Sequence, residues 1–356
     1  MYKNTRMTLG NRRKFRVDPA RPRALLEQCP VYAPTPLHDL ASLADELGVA
    51  SLYVKDEAQR MRLGSFKALG GVFAVAQMIS DASGTVDLMG DHARCIAMDM
   101  TFITASAGNH GLSVAAGARL FGAQAVIVLS ASVPESFASR IRSFGADVVR
   151  VDGTYEDSVA FAADTARQNG WLLLADGSWE GYVERPALVM EGYTVLAEEC
   201  RTEFAASGIW PTHVLLQAGV GGLAAAVAGH IREYWAEQPM IIVVEPDAAP
   251  CLLRSIKSGK LTRADGARSN MAGLDCKDAS WISFEALRGD ADGFLTVSDA
   301  ESETATETFA RHGIATTPSG AASLAALKGM ALGADAQCLL IASEGHARPA
   351  EDGTAD

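Results

Sequence analysis

The chain has 356 residues, of which 48% are hydrophobic and 21% are charged, as expected for a globular protein with a sizeable core. Its formal net charge of −12 argues against binding to nucleic acid, because no basic excess is available to displace counterions. No apolar run is long enough to span a membrane, and the basic N-terminus lacks the pattern of a signal peptide. We therefore expect a cytoplasmic protein that binds neither nucleic acid nor membranes. The six cysteines show no CxxC spacing, so we expect no metal site.

Short β-branched runs alternate with alanine-rich helical stretches along most of the chain. In order, the predicted strand–helix pairs are "SLYVKDE" with "SFKALGGVFAVAQMIS", "RCIAMDM" with "NHGLSVAAGARLFG", "AQAVIVL" with "PESFASRIRSFG", "DVVRV" with "YEDSVAFAADTARQNG", "WLLLAD" with a long helix, roughly Pro186 to Ser207, and "THVLLQAG" with "GGLAAAVAGHIREYWAE". Two further strands are predicted in "MIIVVEPD" and "QCLLIASEG". This alternation predicts mostly parallel sheets covered by helices on both faces, with ligands bound beyond the carboxyl ends of the strands.

One lysine, Lys67, stands among small and apolar residues in the stretch "RLGSFKALGGVF". A position near a helix N-terminus is unfavourable for a cation, and partial burial would lower the pKa of the amine. Such a lysine suits a role as a neutral amine that attacks a carbonyl group and later carries a proton. The alternative is a surface lysine whose stem is buried.

Two loops have the composition of anion-binding turns. In "TASAGNHGLSVA", small residues and Asn109 precede a helix, so backbone N–H groups there could hold an anion or a carboxylate; a helix capped by asparagine is the alternative. In "QAGVGGLAAAV", a strand, a glycine loop and a helix follow one another as in a phosphate cradle. This second loop lacks the GxGxxG and GK[ST] patterns of nucleotide sites, and it could be a plain tight turn.

Two polar residues follow predicted strands. Asp176 comes after "WLLLA" and could serve in acid–base chemistry, or it could be an ordinary loop residue or helix cap. Ser343 ends the strand of "QCLLIAS", where its hydroxyl could bond a neutral ring nitrogen or merely close the strand.

The order of these motifs, with "TPSGA" before the last strand, resembles the fold-type II pyridoxal-phosphate (PLP) enzymes, a group that includes threonine and serine dehydratases, serine racemase and the tryptophan synthase β-chain. Within that group, "GSFKALGG", "DGSWEGY", "PTHVLLQAGVGG", and "VEPDAAPC" with "NMAGLDC" resemble the diaminopropionate ammonia-lyases. The resemblance implies an α/β fold of two three-layer domains, each with a mostly parallel sheet flanked by helices. Residues 1–95 and 190–356 would form a large PLP-binding domain, and residues 96–189 a small domain with the substrate loop. It also implies a homodimer.

The same resemblance implies roles for individual residues. Lys67 would hold PLP covalently, Phe66 would line its ring, Asn109 would bond its phenolic oxygen, and Ser343 would face its ring nitrogen. The phosphate would be held by Gly219, Val220, Gly221 and Gly222. The loop around the substrate carboxylate would comprise Ser106, Ala107, Gly108, Asn109 and His110. Cys251 and Cys276 fall where the family has cysteines that can approach each other, so a disulfide between them is implied as an option.

The implied reaction is an α,β-elimination on a small amino acid resembling 2,3-diaminopropionate, giving a 2-oxo acid and ammonia. Lys67 would remove the Cα proton, and Asp176 would protonate or orient the β-amino leaving group. The ammonia-lyases usually carry an aspartate, the base for the opposite stereoisomer, where this chain has Ala107, so we expect a preference for the L isomer. The alternatives are a β-hydroxy amino acid dehydratase, a β-replacement enzyme, a racemase, or a non-catalytic ligand-binding protein on the same scaffold.

Overall fold

The computed structural model describes residues 1–5 and 13–346. The strands of this described part are β1 (Tyr2–Lys3), β2 (Leu37–Asp39), β3 (Ser51–Asp56), β4 (Thr101–Ala105), β5 (Gln124–Ser130), β6 (Asp147–Val151), β7 (Leu172–Leu173), β8 (His213–Gln217), β9 (Met240–Pro246), β10 (Gly293–Val297) and β11 (Gln337–Ala342). The helices are α1 (Ala20–Leu26), α2 (Ala41–Leu47), α3 (Lys67–Ser83), α4 (Asp91–Met98), α5 (Asn109–Phe121), α6 (Glu135–Arg142), α7 (Tyr155–Asn169), α8 (Glu184–Ser207), α9 (Gly222–Tyr234), α10 (Cys251–Ser258), α11 (Trp281–Asp290), α12 (Asp299–Arg311) and α13 (Pro318–Lys328).

The chain divides into two compact units, of which the first comprises residues 1–18, 34–59 and 177–346. Its sheet has seven strands in the order β1-β10-β9-β8-β11-β3-β2. The five central strands are parallel, and the short strands β1 and β2 pair antiparallel at the two edges. The carboxyl ends of β8 and β11 therefore lie at the same edge of this sheet, as parallel pairing requires.

Helices cover both faces of the first sheet. On one face, Leu215, Ile242 and Leu340 share a buried core with residues of α2, α12 and α13. Successive side chains of a strand point to opposite faces, and the alternate residues Leu216 and Val243 are buried as well. The strands are consequently continuous apolar runs, which is the pattern expected of a sheet covered twice.

The second unit comprises residues 19–33 and 60–176 of the described chain. Its four strands are all parallel, in the order β6-β5-β4-β7. Consecutive residues of β4 and β5, such as Phe102 with Ile103, are buried, so both faces of this sheet are covered too. The predicted fold class, two α/β parts with mostly parallel sheets flanked by helices, is confirmed.

The extents of the two units differ from the predicted domains. Residues 19–33 and 60–95, which were assigned to the large domain, lie in the second unit, and residues 177–189, which were assigned to the small domain, lie in the first. The physical reason is helix packing. A Cβ atom on Gly71 of α3 would lie 1.9 Å from the Oγ atom of Ser113 on α5, and one on Gly117 of α5 would lie 3.1 Å from the Cα atom of Val72. Because α3 and α5 approach this closely, they form one body.

Two strand predictions need correction. The segment "RCIAMDM" was predicted as a strand, but Asp91–Met98 is helix α4 and the strand is β4, Thr101–Ala105. The buried Ala93 and Ala97 are four residues apart, which is a helical spacing. In "WLLLAD" only Leu172 and Leu173 pair, with Phe102 and Ile103 of β4.

The first residues of the chain pair with the edge of the seven-stranded sheet. Tyr2 and Lys3 pair with Phe294 and Gly293 of β10, and the side-chain amide of Asn4 donates to the carbonyl of Ala291, 2.8 Å away. Residues 6–12 of this segment lie outside the described part. Among the described helices, none is long and apolar enough to cross a membrane.

Candidate active site

In the second unit, Lys67 is the first residue of α3, as the sequence predicted. Its backbone N–H donates to the hydroxyl of Ser65 at 3.2 Å, and its side chain is 19% exposed. The amine lies 5.4 Å from the ring centroid of Phe66, which is itself buried. The face of this ring attracts a cation, but the positive end of a helix is an unfavourable place for one unless an anion is close by.

That anion is Asp176. The Nζ atom of Lys67 lies 2.6 Å from the Oδ2 atom of Asp176. Burial would raise the pKa of the Asp176 carboxyl, but the nearby charge of Lys67 and the hydrogen bond from Lys67 outweigh it. The pKa of Asp176 is consequently well below its ordinary value, so this group is a carboxylate at neutral pH. The sequence placed both residues at the site but gave no distance between them.

The loop before α5 places its backbone at the helix N-terminus. Helix α5 begins at Asn109, and a Cβ atom on Gly111 would lie 2.2 Å from the carbonyl oxygen of Ser106, so the loop folds tightly onto the first turn. The first N–H groups of a helix have no acceptor within the helix. Ser106, Ala107 and Asn109 are half-buried and Gly108 is exposed, which leaves this backbone open to an anionic ligand.

The side chain of His110 is not available to bind a ligand. It is 2% exposed, and its Nε2 atom lies 2.8 Å from the carbonyl oxygen of Leu174. Burial lowers the pKa of this imidazole, so it is neutral and donates from Nε2 to Leu174. Its Nδ1 atom is buried without a hydrogen-bond partner among the described residues. Only the backbone of His110 is therefore suited to contact a ligand.

In the first unit, the glycine loop lies between β8 and α9, with Gly221 as the residue before the helix. Gly221 has a φ of 99°, a conformation that side-chain-bearing residues rarely adopt. A Cβ atom there would lie 2.9 Å from a methyl group of Leu252, and one on Gly219 would lie 2.9 Å from the sulfur of Cys276. The loop thus needs glycine for its path, and it presents the N-terminus of a thirteen-residue helix, as an anion site does.

Ser343 directly follows β11, and it is buried. Its position depends on a residue that the sequence analysis did not select, Gln217 at the end of β8. The side-chain amide of Gln217 donates to the carbonyl of Ile341 at 2.7 Å and so joins the carboxyl ends of two strands. The signal in the sequence is the single polar residue that ends the apolar run "HVLLQ".

Cys251 and Cys276 are present as thiols, so the disulfide that the resemblance offered is not formed in this structure. The sulfur of Cys251 lies 3.5 Å from the carbonyl oxygen of Gly219. Burial, with the nearby Glu245, raises the pKa of the Cys251 thiol far above its ordinary value. Within residues 1–5 and 13–346, no group of three His, Cys, Asp or Glu side chains is arranged to hold a metal ion.

Comparison with known proteins identifies the class to which these features belong. A family model described as pyridoxal-phosphate dependent enzyme matches residues 29–344. The chain therefore belongs to this family, and its cofactor is PLP. Its fold is that of the fold-type II PLP enzymes.

Within this class, the chain is similar to diaminopropionate ammonia-lyase of Escherichia coli strain K12. The two are 38% identical over 274 residues, which cover 76% of this chain and 69% of that protein. The crystal structure of the holo enzyme from Escherichia coli matches with a TM-score of 0.85 and 31% identity, over 96% of this chain and 92% of the other. The same enzyme in complex with an aminoacrylate–PLP azomethine reaction intermediate matches with a TM-score of 0.81 and 31% identity, over 97% and 95% of the two chains. The resemblance drawn from the sequence is confirmed.

The residues present fit PLP. The first unit supplies a glycine loop in which Cβ atoms on Gly219 or Gly221 would collide with their surroundings, and this loop stands at a helix N-terminus suited to a phosphate. The second unit supplies a partly buried amine, that of Lys67, beside an aromatic ring. The cofactor prediction is confirmed, whereas the roles of the individual residues stay predictions.

Proposed function

We propose that this protein is a PLP-dependent ammonia-lyase that eliminates the β-amino group of 2,3-diaminopropionate or a closely related small amino acid, releasing a 2-oxo acid and ammonia. The observation that carries the proposal is the pair formed by Lys67 and Asp176, with 2.6 Å between amine and carboxylate, in a chain similar to the ammonia-lyases. PLP, when bound, supplies an electron-withdrawing ring that stabilises negative charge at Cα. The remaining tasks fall to the side chains of the protein.

Lys67 has two tasks in this proposal. Its amine holds the cofactor covalently until the amine of the substrate displaces it, and the released amine then removes the Cα proton. A base must be uncharged to accept a proton. In this structure the carboxylate of Asp176, 2.6 Å away, stabilises the charged amine of Lys67. The protonated β-amino group of a bound substrate would take this carboxylate as its acceptor, which would remove the ion pair that keeps the amine of Lys67 charged.

Asp176 orients the leaving group. Because its pKa is well below the ordinary value, the carboxylate is an acceptor and not a proton donor. It would bind the protonated β-amino group of the substrate and keep it protonated, so that ammonia leaves as a neutral molecule. Of the two roles that the sequence left open for Asp176, the geometry favours orientation over proton donation.

The other predicted residues would bind the cofactor and the substrate and position them. The loop Gly219–Gly222 would hold the phosphate at the N-terminus of α9, and the hydroxyl of Ser343 would face the ring nitrogen. Asn109 would bond the phenolic oxygen. The backbone of the loop from Ser106 to His110 would bind the substrate carboxylate.

We propose a preference for the L isomer, since Ala107 has no group that can accept a proton. We also propose a cytoplasmic homodimer, by analogy with the family. Light scattering during size-exclusion chromatography measures the oligomeric state; a monomeric mass for the holoenzyme would contradict the dimer.

The test of the function starts from purified holoenzyme. Spectroscopy with PLP should show the visible band of a lysine-bound cofactor, and Lys67→Ala should abolish it. Ammonia and 2-oxo acid are then measured with D and L amino acids that differ at Cβ. Release from L-2,3-diaminopropionate well above release from L-serine and L-threonine is expected. A higher rate with the hydroxy amino acids would indicate a dehydratase. Absence of the visible band of lysine-bound PLP would refute the proposal that the protein is a PLP-dependent enzyme.

A further inference from the structure

Two buried serines of the first unit, which the sequence analysis did not select, bond to each other. The hydroxyl oxygens of Ser178 and Ser280 are 2.7 Å apart, and the backbone N–H of Ser178 donates to the hydroxyl of Ser280 at 3.1 Å. Their residue exposures are 6% and 2%. A buried hydroxyl is costly unless it is hydrogen-bonded, and here each hydroxyl bonds the other.

Ser178 also caps helix α11 from a distant part of the chain. The N–H of Trp281 donates to the carbonyl of Ser178 at 3.0 Å, and the N–H of Ile282 donates to its hydroxyl at 3.0 Å. The residue that ordinarily caps a helix is the one before it, which is Ser280, but the hydroxyl of Ser280 makes no capping bond. The cap is thus supplied by Ser178, and the two hydroxyls form a clasp, by which we mean Ser178, Ser280 and the bonds between them.

The clasp reaches the glycine loop. The N–H of Ser280 donates to the carbonyl of Val220 at 3.0 Å, and a Cβ atom on Gly221 would lie 3.0 Å from Cβ of Ser283 on the first turn of α11. The path of the glycine loop is therefore fixed by the start of α11.

We propose that Ser178 and Ser280 are a positioning pair, which holds the glycine loop of the first unit in the path that receives the phosphate. The inference rests on the proposed function in so far as this loop binds the phosphate of PLP. Loss of either hydroxyl leaves a buried partner unsatisfied and loosens the start of α11, against which the glycine loop lies. A displacement of about 1 Å at a positioned group lowers a rate by up to about a hundredfold.

The experiment compares Ser178→Ala, Ser280→Ala and the double variant with Ser302→Ala. Ser302 is an equally buried serine of the same unit, whose hydroxyl donates to the carbonyl of Asp299 at 2.8 Å on α12. Turnover of 2,3-diaminopropionate is measured at saturating PLP, so that a loss of kcat does not arise from an unoccupied cofactor site.

For each clasp variant, we expect kcat with 2,3-diaminopropionate to fall about tenfold or more, because a loosened glycine loop displaces the cofactor, and Ser302→Ala should leave kcat within about twofold of the wild type. The double variant should lose no more than the worse single variant, because the two hydroxyls act as one unit. An unchanged kcat in both single variants, or losses that multiply in the double variant, would overturn the inference and make the serines an ordinary helix cap.

A second measurement does not depend on turnover. The dissociation constant of PLP, from equilibrium dialysis, should rise by about fivefold in Ser280→Ala, as expected for one lost hydrogen bond, and stay unchanged in Ser302→Ala. An unchanged constant in Ser280→Ala refutes the clasp, whatever the reaction is. Conversely, a wild-type enzyme that releases no ammonia refutes the proposed function, while the PLP measurement still decides on the clasp.

Discussion

Replacing Asp176 by asparagine is the sharpest single test of how the second unit supports the reaction. Asparagine keeps the shape of the side chain and removes only its charge. In the structure this charge lies 2.6 Å from the amine of Lys67, with the aspartate side chain 22% exposed. A protonated β-amino group of a substrate would need the same acceptor.

The size of the effect follows from the bond that is lost. Hydrogen bonds to charged groups contribute about 1.5–3 kcal/mol, and each 1.36 kcal/mol corresponds to a factor of ten in rate. We therefore expect kcat/KM for L-2,3-diaminopropionate to fall about ten- to 150-fold in Asp176→Asn. With β-chloroalanine the leaving group needs no such bond, and the loss should stay below about threefold.

The assay is 2-oxo acid release by the holoenzyme, measured for both substrates at one pH, with PLP content determined in each preparation. Asp164→Asn is the matched control, because Asp164 forms an exposed ion pair with Arg167 in the same unit and has no part in the proposed chemistry. Equal losses on the two substrates in Asp176→Asn would refute the assignment, since they would indicate a general structural defect.

Three further predictions follow from the second unit. Because Ala107 cannot accept a proton, L-2,3-diaminopropionate should be turned over about a hundredfold faster than the D isomer, and Ala107→Asp should narrow that gap; equal wild-type rates would contradict the reasoning. Because burial lowers the pKa of His110 in the folded protein, the unfolded chain binds a proton at this imidazole at a higher pH than the folded one. The free energy of unfolding is therefore highest above pH about 6.5 and falls as the pH drops below that value. Urea titrations of His110→Gln should show a smaller fall in this free energy between pH 7 and 5, and the same fall as in the wild type would exclude His110 as the cause. Gly71→Ala should lower the free energy of unfolding by about 1–3 kcal/mol, because the added carbon meets Ser113; Ser113→Gly in the same chain should restore part of the loss, and a Gly71→Ala variant as stable as wild type would contradict the close helix contact.

The sequence was sufficient for most of the fold because the central strands are covered on both faces. β8, β9 and β11 appear as continuous apolar runs, so they were predicted with the glycine loop and Ser343 at their ends. The strand prediction for "RCIAMDM" failed because α4 buries only Ala93 and Ala97. Other apolar residues of this helix are exposed, so the apolar residues of the segment do not show a helical spacing.

The clasp could not be predicted for a different reason. Ser178 and Ser280 are 102 residues apart, and no sequence pattern indicates that a serine in a polar stretch is buried and bonded to a distant residue. Lys67 and Asp176, which are 109 residues apart, were found only because each belongs to a motif with an expected chemical role. Local patterns thus predict elements and motif residues, whereas the bonds between distant loops require the three-dimensional structure.

The edges of the seven-stranded sheet limit how copies of this protein can associate. Tyr2–Lys3 closes one side with two residues and Leu37–Asp39 closes the other with three, and both run against the direction of the five parallel strands between them. Short antiparallel end strands are poor templates for adding a strand from another chain. Continuation of the seven-stranded sheet from one protomer into the next is therefore disfavoured, and a dimer that used the first unit would have to join its subunits through helices and loops.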